Sequence, residues 1–172
     1  MPKMLADGTT KLVLLDSRPA DIAAITATEA NAGTDVSCLI MDPLNIGPSG
    51  SDTVDEKALC DQGNAQAFGA SNYSGRTITG YRSYDDTTLQ PDAATDLAWE
   101  AMKTKGTLIR CLYRKGGKAS TEDFAESDEV RYIEYTVDDP QEADNTEGYS
   151  KFISALGYAG TASLDTLLVA GA

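Results

Sequence analysis

Short segments rich in β-branched and aromatic residues recur along this chain, and turn-forming residues separate them. Such segments favour strands, because branched and aromatic side chains pack well on a pleated sheet. The clearest of them is residues 129–137, which read Glu-Val-Arg-Tyr-Ile-Glu-Tyr-Thr-Val. Seven further segments are predicted as strands: residues 11–15, 36–41, 51–60, 73–84, 107–114, 149–158 and 163–169.

The predicted ends of two of these strands are set by the turn or loop that follows each of them. The apolar residues of segment 149–158 also fit a helical spacing, but we predict a strand, then a turn at residues 159–160. In segment 51–60, Val54, Ala58 and Cys60 are expected to share one face. The residues that follow this second segment, 61–72, are predicted to form a loop.

One helix is clear from the sequence. Between residues 92 and 105, apolar residues recur at helical spacing: Ala94, Leu97, Ala98, Ala101 and Met102. Asp92 is the expected N-cap, and Gly106 is expected to end the helix. Thr26 and Glu29 have the spacing of a capping box and predict one or two more helical turns.

This order of elements predicts a mainly β fold. We expect a β-sandwich or barrel of about eight strands with one flanking α-helix, in a single domain spanning residues 1–172. No stretch is as long as a signal-peptide core or a membrane span, so synthesis and initial residence in a cytoplasm are expected, without a membrane partner.

The composition argues against an enzyme. The chain has no His, which removes the commonest general base and metal ligand. Its three cysteines are widely spaced and are interpreted as small packing residues. Adjacent acids such as Asp138 and Asp139 point to opposite faces of a strand, so they do not converge on one substrate atom. No cofactor, metal or catalytic residue is predicted.

Charge is unevenly distributed, although the net charge is −13. Residues 101–118 hold six basic residues and no acid: Lys103, Lys105, Arg110, Arg114, Lys115 and Lys118. Residues 119–148 hold eleven acids, among them Glu122, Asp123, Asp138 and Asp139, and one base, Arg131. Three interpretations remain open: a solvated surface, opposite charges across a hairpin of 107–114 and 129–137, or complementary blocks at opposite ends that dock head to tail.

The order of segments resembles the major tail (tail tube) proteins of actinobacteriophages with long, non-contractile tails. The pieces that carry the resemblance are ANAGTDVSCLI at 30–40, GPSGSDTVDEKALCD at 47–61, GASNY at 69–73 and LAWEAMKTKG at 97–106. The resemblance covers nearly the whole chain as an ordered pattern. The additional immunoglobulin-like C-terminal domain of some tail tube proteins is not expected in this protein.

The resemblance implies a tail tube fold whose copies form rings, usually hexameric, that stack into a tube. It implies a lumen that holds the tape measure protein and later conducts double-stranded DNA, without specific binding, into the host. Terminator or adaptor proteins and distal tail proteins are the other implied partners. The implied location is the virion, with assembly in the bacterial cytoplasm.

Acidic and mixed polar positions on two predicted strands are the candidates for lining the lumen: Asp52, Glu56, Glu129, Arg131 and Glu134. The candidates for contacts between subunits are Trp99, the six basic residues named above, and Glu122, Asp123, Asp138 and Asp139. A Trp at the flank of an apolar helix stripe most often packs on a neighbouring element of its own chain, and the subunit interface is the alternative role for Trp99. The acidic loops 115–128 and 138–148 are expected to order only on assembly.

Two other classes remain as alternatives. A head–tail connector or head decoration subunit has a similar composition, but it forms a closed ring or a capsid contact instead of a filament. A carbohydrate-binding β-domain needs exposed aromatic residues, and the eight Tyr of this chain are consistent with that.

Overall fold

The computed structural model describes residues 6–57, 59–60, 62–63, 66–143 and 147–171. The strands within these ranges are β1 (Thr10–Leu14), β2 (Thr34–Asp35), β3 (Thr53–Asp55), β4 (Gln66–Phe68), β5 (Arg76–Tyr81), β6 (Leu108–Lys115), β7 (Glu129–Val137), β8 (Gln141–Glu142) and β9 (Lys151–Leu167). The helices are α1 (Ala27–Asn31) and α2 (Leu97–Met102), and Ser37–Leu39 forms a 3₁₀ turn.

Seven strands form one antiparallel sheet in the order β2-β1-β6-β7-β9-β5, with β8 also paired to β9. The sheet curls into a half-barrel, and β3 and β4 form a separate hairpin. Isolated pairs between Ile40 and Gly80 and between Asn45 and Thr77 hold residues 40–45 along β5. The prediction of a mainly β fold with a flanking helix is confirmed.

Each face of the sheet carries its own apolar core. Along β6, Ile109, Cys111 and Tyr113 belong to the first core, whereas Leu112 belongs to the second. This follows from the two-residue period of a strand, which sends successive side chains to opposite faces. The first core takes residues from β1 and β5, the distant strands of the curl, and therefore lies on its concave side. The second core lies beneath α1 and Phe124.

The two helices begin at different kinds of cap. Helix α1 has the predicted capping box, in which the Thr26 side chain accepts from the Glu29 amide and Glu29 accepts from the Thr26 amide. Helix α2 begins at Leu97, five residues later than Asp92, the predicted N-cap. Asp92 instead fixes a preceding turn through the Ala94 amide and the Thr95 hydroxyl, so the predicted start was wrong.

The predicted strand at residues 36–41 was also wrong. The Asp35 carboxylate accepts from the amide and the hydroxyl of Ser37, and this local turn ends β2 after two residues. The Ser37 hydroxyl oxygen in turn accepts from the Leu12 amide. The chain therefore leaves the sheet as a 3₁₀ turn.

Residues 149–158 contain a strand, as predicted, but it continues without the predicted turn at 159–160. The single strand β9 spans 17 residues. Two shifts of register keep β9 paired with β7. The longer shift lies between the pair Ile133–Ala162 and the pair Tyr135–Tyr158, and Gly160 within it has a φ of 88°. A bulge-like extra stretch is thus present where a chain reversal was expected.

The predicted strand 51–60 is much shorter than expected. Only Thr53–Asp55 forms a strand, and its partner β4 lies inside the predicted loop 61–72. The expected apolar face is absent: Val54 and Cys60 are exposed, and Ala58 lies outside the described residues. The hairpin projects from the sheet and has no core beneath it.

Candidate assembly surfaces

The hairpin of β3 and β4, here called the projecting hairpin, displays apolar side chains to solvent. All six of its strand residues are exposed, and Phe68 and Val54 are 79% and 45% exposed. Backbone hydrogen bonds from Ser49 to Asn72 and from Gly69 to Asp52 fasten its base. An isolated two-stranded hairpin is marginal in water, so this one is suited to pack against another chain.

A second open surface runs along β9. Strand β5 pairs with β9 only as far as Leu156, whereas β7 continues along the other side to Leu167. Among the described residues, no strand covers the β5 side of residues 157–167, here called the open edge. Such an edge presents backbone donors and acceptors that pair readily with a strand of another chain.

A third feature lies at the opposite end of β5 from the projecting hairpin. The Asp85 carboxylate accepts from the amides of Thr87 and Thr88 and from the Thr88 hydroxyl, which fixes a tight turn. At the tip, Leu89 has a φ of 55° and is 74% exposed. The subunit therefore carries exposed apolar side chains at both ends of β5.

The candidates for the lumen are placed in different environments. Asp52 and Glu56 are exposed on the projecting hairpin, although Glu56 lies just beyond β3, and Glu129 is exposed at the start of β7. Arg131 is half-buried on the same face of β7 as the first core.

Glu134 points to the other face of β7 and is only 6% exposed. It accepts a 2.6 Å hydrogen bond from the Tyr132 hydroxyl and lies 3.6 Å from Arg18. Sequence reasoning grouped Glu134 with Glu129 and Arg131 because all three are polar. Residues 129 and 131 are odd positions on β7 and residue 134 is an even one, so Glu134 faces the opposite side of the sheet. Its partner Arg18 lies 116 positions away and was not identifiable from the pattern.

Lysines of the basic block form ion pairs within the subunit. Lys105 lies 2.6 Å from Asp138 and 3.3 Å from Asp139, and Lys103 pairs with Glu100 at 2.6 Å. The Lys105 ammonium lowers the pKa of Asp138, and the two carboxylates raise the pKa of Lys105. The blocks therefore lie side by side and not at opposite ends of the subunit.

Strands β6 and β7 pair as a hairpin, which was one of the three interpretations of the charge pattern. Arg110 lies opposite Glu134 in the register of β6 and β7, but its guanidinium donates to the Asp16 carbonyl. Lys115 likewise donates to a carbonyl, that of Leu44, at 3.1 Å. Most of the basic block is thus occupied inside its own subunit.

Arg114 organises the loop that follows β6. Its buried guanidinium lies 2.7 Å from the Asp128 carboxylate and donates to the carbonyls of Ala119, Glu122 and Asp123. The exposed carboxylate of Glu122 accepts from the Ala119 amide.

Lys118 adds a 2.8 Å ion pair to Asp128. Within the subunit, Arg114 and Lys118 thus hold the loop 115–128 through its carbonyls and Asp128, and its ordering on assembly stays a prediction. For the loop 138–148 the expectation stays a prediction, since residues 144–146 lie outside the described part of the chain.

Trp99 makes its contacts within the subunit. Its ring meets the ring of Phe152 edge to face at 5.3 Å, and the Arg82 guanidinium stacks 3.9 Å from its centroid. Arg82 is held in turn by a 2.8 Å ion pair with the buried Asp96. The half-buried Trp99 therefore joins α2 to β5 and β9, which is one of the two roles expected for it.

Sequence reasoning missed two strongly exposed apolar positions. Phe68 was assigned to a loop, and Leu89 was not considered. The short pattern Gln66-Ala-Phe opposite Thr53-Val-Asp is a hairpin signal, but three residues per strand are too few for periodicity to show it.

No helix of the described residues has the length and apolar character needed to cross a membrane. In the same part of the chain, no group of three or more Cys, Asp or Glu side chains is arranged to hold a metal ion.

Comparison with known proteins agrees with this picture of a β-sheet subunit with open surfaces. The profile of a family described as phage tail tube protein matches residues 1–171. No curated protein matches the sequence. Because the profile covers nearly the whole chain, the chain belongs to the phage tail tube protein family.

Proposed function

We propose that this chain is the subunit of a tail tube, in which copies form rings of six, in keeping with the family resemblance, and the rings stack around a lumen. The observation that carries this proposal is the projecting hairpin, which exposes Phe68 and Val54 without a core of its own. Family membership supports self-assembly into a tube and a place in the virion.

The open edge and the projecting hairpin supply the two halves of a contact between neighbouring copies. Residues 157–167 offer backbone groups along one side of β9, and the hairpin offers apolar side chains that are rigidly based at Ser49 and Asn72. Pairing of such elements in a heterologous contact closes into a ring when the rotation allows it.

The lumen of this tube is the proposed path of double-stranded DNA and the proposed seat of the tape measure protein during assembly. A wall of net negative charge repels the phosphate backbone and lets DNA slide. Asp52, Glu56 and Glu129 are exposed and suit such a wall, whereas Arg131 and Glu134 are less accessible in the subunit. Terminator and distal tail proteins are the proposed partners at the two tube ends, and assembly is proposed to take place in the host cytoplasm.

Assembly is expected to depend on salt. Each copy carries a net charge of −13, and much of the basic block is paired internally, so copies repel each other over long range. Raising the ionic strength from about 0.01 M to about 1 M shortens the Debye length from about 30 Å to about 3 Å. We expect faster and more complete assembly at high salt, measured by light scattering. Slower assembly at high salt would show that attraction between charged blocks drives the contact.

The variant Phe68→Ser is expected to abolish or strongly weaken tube formation and to leave the subunit's stability within about 0.5 kcal/mol. The reason is that the Phe68 side chain is 79% exposed in the subunit, so its removal costs little packing there. Negative-stain electron microscopy and urea denaturation measure the two effects.

Ala23→Ser, at an exposed position outside both the projecting hairpin and the open edge, is the matched control and is expected to form tubes. Hollow filaments from the unaltered protein support the proposed function, and closed single rings support a connector. Normal tubes from Phe68→Ser would remove the hairpin from the contact.

A further inference from the structure

A shallow groove of about 400 Å³ lies where β5 ends its pairing with β9. Its walls come from Asp52 and residues 71–74 at the foot of the projecting hairpin, and from Leu156, Gly157 and Tyr158 of β9. Gly157 and Tyr158 are also the first residues of the open edge, which β5 leaves uncovered. The groove and the open edge therefore form one continuous surface.

Tyr158 is a large side chain of this groove that remains accessible. Its ring stacks on Tyr73 at 4.0 Å with an interplanar angle of 12°, and the Tyr135 ring meets it edge to face at 6.3 Å. Tyr73 and Tyr135 are buried, and the Tyr135 hydroxyl donates to the Ile46 carbonyl, so both supports are held in place. Tyr158 itself is 40% exposed. The subunit thus presents an ordered aromatic ring with part of its surface open to solvent.

The residues beside Tyr158 leave room for another strand. Gly157, Ala159 and Gly160 are exposed and have a small side chain or none. A Cβ built on Gly157 would meet only the Thr136 carbonyl oxygen, at 3.7 Å. Glycine within a strand often marks a place where another backbone approaches closely. An incoming strand can therefore reach the backbone of the open edge and the Tyr158 ring together.

Phe68 has the features that the incoming group needs. It is 79% exposed, whereas Phe124 and Phe152, the other two phenylalanines of the sequence, are 3% and 1% exposed. It lies on β4, and within the described ranges β3 is the only strand that pairs with β4, so a free backbone edge accompanies the ring. The residues that line the groove do not include the subunit's own Phe68. A contact between this ring and the groove therefore needs a second copy.

We propose that Phe68 of one copy packs on Tyr158 of a second copy and sets the register in which the projecting hairpin joins the open edge. Family membership supports a second copy as the occupant, since a tail tube is built by self-assembly. A glycine-containing edge specifies strand register weakly, and an aromatic pair adds attraction beyond the area that it buries. The inference rests on the proposed function and adds the side chains that fix how two copies meet.

Cross-linking tests this contact without altering either ring. Ala67→Cys and Ala159→Cys place thiols at exposed positions next to Phe68 and Tyr158. When the two variants are mixed, assembled and treated with a short bismaleimide reagent, a covalent dimer is expected. Each variant alone is expected to give none. Gels run under denaturing conditions measure the yield.

The background and the control remove other sources of cross-linking. All variants carry Cys38→Ser and Cys60→Ser, because these two cysteines are exposed and would react. In the matched control, Ala23→Cys replaces Ala159→Cys, since Ala23 is exposed outside both the projecting hairpin and the open edge. Mixtures of Ala67→Cys and Ala23→Cys are expected to give no covalent dimer.

A double-mutant cycle tests whether the two rings act as a pair. Phe68→Leu and Tyr158→Leu keep apolar bulk but remove an aromatic face, so each is expected to raise the critical concentration for assembly about threefold to tenfold. The double variant is expected to show about the same rise as either single variant, because the second substitution removes a contact that is already lost. If Tyr158→Leu does not fold, the cross-linking result decides alone.

Three outcomes would overturn the pairing and leave the proposed function intact. They are covalent dimers from Ala67→Cys alone, filaments in which Ala159→Cys cross-links no better than Ala23→Cys, and single-variant effects that multiply in the double variant. The first would show that hairpins meet each other, and the second would place the hairpin elsewhere on its neighbour. A failure of the unaltered protein to assemble would overturn both the pairing and the proposed function.

Discussion

Arg114→Met is expected to lower the free energy of unfolding of the subunit by about 3–5 kcal/mol. The guanidinium is 3% exposed, and it satisfies the Asp128 carboxylate together with the carbonyls of Ala119 and Glu122. Methionine fills much of the same volume but provides no donor, so three carbonyls lose a partner and the Asp128 carboxylate loses its buried cation, keeping Lys118 and the Ala125 amide. The loop that follows β6 is expected to detach with them.

Urea denaturation measures this effect, and limited proteolysis reports the state of the loop. Lys103→Met is the matched control, because it removes a cation from an exposed ion pair with Glu100 and is expected to change stability by no more than about 0.5 kcal/mol. A loss below about 1 kcal/mol in Arg114→Met, with the loop still resistant to protease, would show that the apolar contact of Phe124 holds the loop without the ionic cluster.

The dependence of this effect on pH follows from Asp128. Burial acts to raise the pKa of Asp128, but Lys118, the Ala125 amide and Arg114 outweigh burial, so the pKa is lowered. A lowered pKa means that this carboxylate stabilises the fold above its unfolded pKa of about 4, and that this contribution is lost as pH falls through the folded value. Arg114→Met is therefore expected to lose less of its remaining stability on acidification below about pH 4 than the unaltered chain.

The sequence predicted best those elements whose cause is local. The capping box of Thr26 and Glu29 is complete within four residues, and it is present as predicted. The strand at Glu129–Val137 was predicted with its correct bounds, because its β-forming residues run without interruption. The hairpin of β6 and β7 was among the open interpretations, because it places basic and acidic residues opposite each other across the ladder.

The errors arise where the decisive contact is distant or where a side chain overrides the pattern. Strand β9 passes through Ala159 and Gly160 because β7 supports it on one side, which no local signal reveals. Residues 36–41 leave the sheet because the Asp35 carboxylate accepts hydrogen bonds from the amide and the hydroxyl of Ser37. The strand that carries the exposed Phe68 was not predicted, because three residues are too few to show a strand periodicity.

Candidate site residues were hardest to predict from charge alone. Lys105 and Asp138 are separated by 33 positions, and only the fold shows that they bind each other and not a second copy. Charge pattern therefore identified which residues are unusual but did not identify their partners.

Gly80→Ala is expected to lower the free energy of unfolding by about 1–3 kcal/mol, although alanine normally tolerates a strand at least as well as glycine. Gly80 is buried in β5 opposite Phe152, and a Cβ built on it would overlap the Phe152 ring. That ring has little room to move, because it packs on Trp99, whose other contact is the Arg82 guanidinium held by Asp96. An added methyl group therefore disturbs the junction of β5, β9 and α2 as a unit.

Gly157→Ala is the matched control within the same sheet. A Cβ there meets only the Thr136 carbonyl oxygen at 3.7 Å, which is an ordinary contact, so a change between neutral and about 1 kcal/mol of stabilisation is expected. Urea denaturation followed through the fluorescence of Trp99, the only tryptophan in the sequence, measures both variants and also senses the junction directly. Equal stability of the two variants would mean that Phe152 yields to the methyl group, and that the stacking of Trp99 and Arg82 does not constrain it.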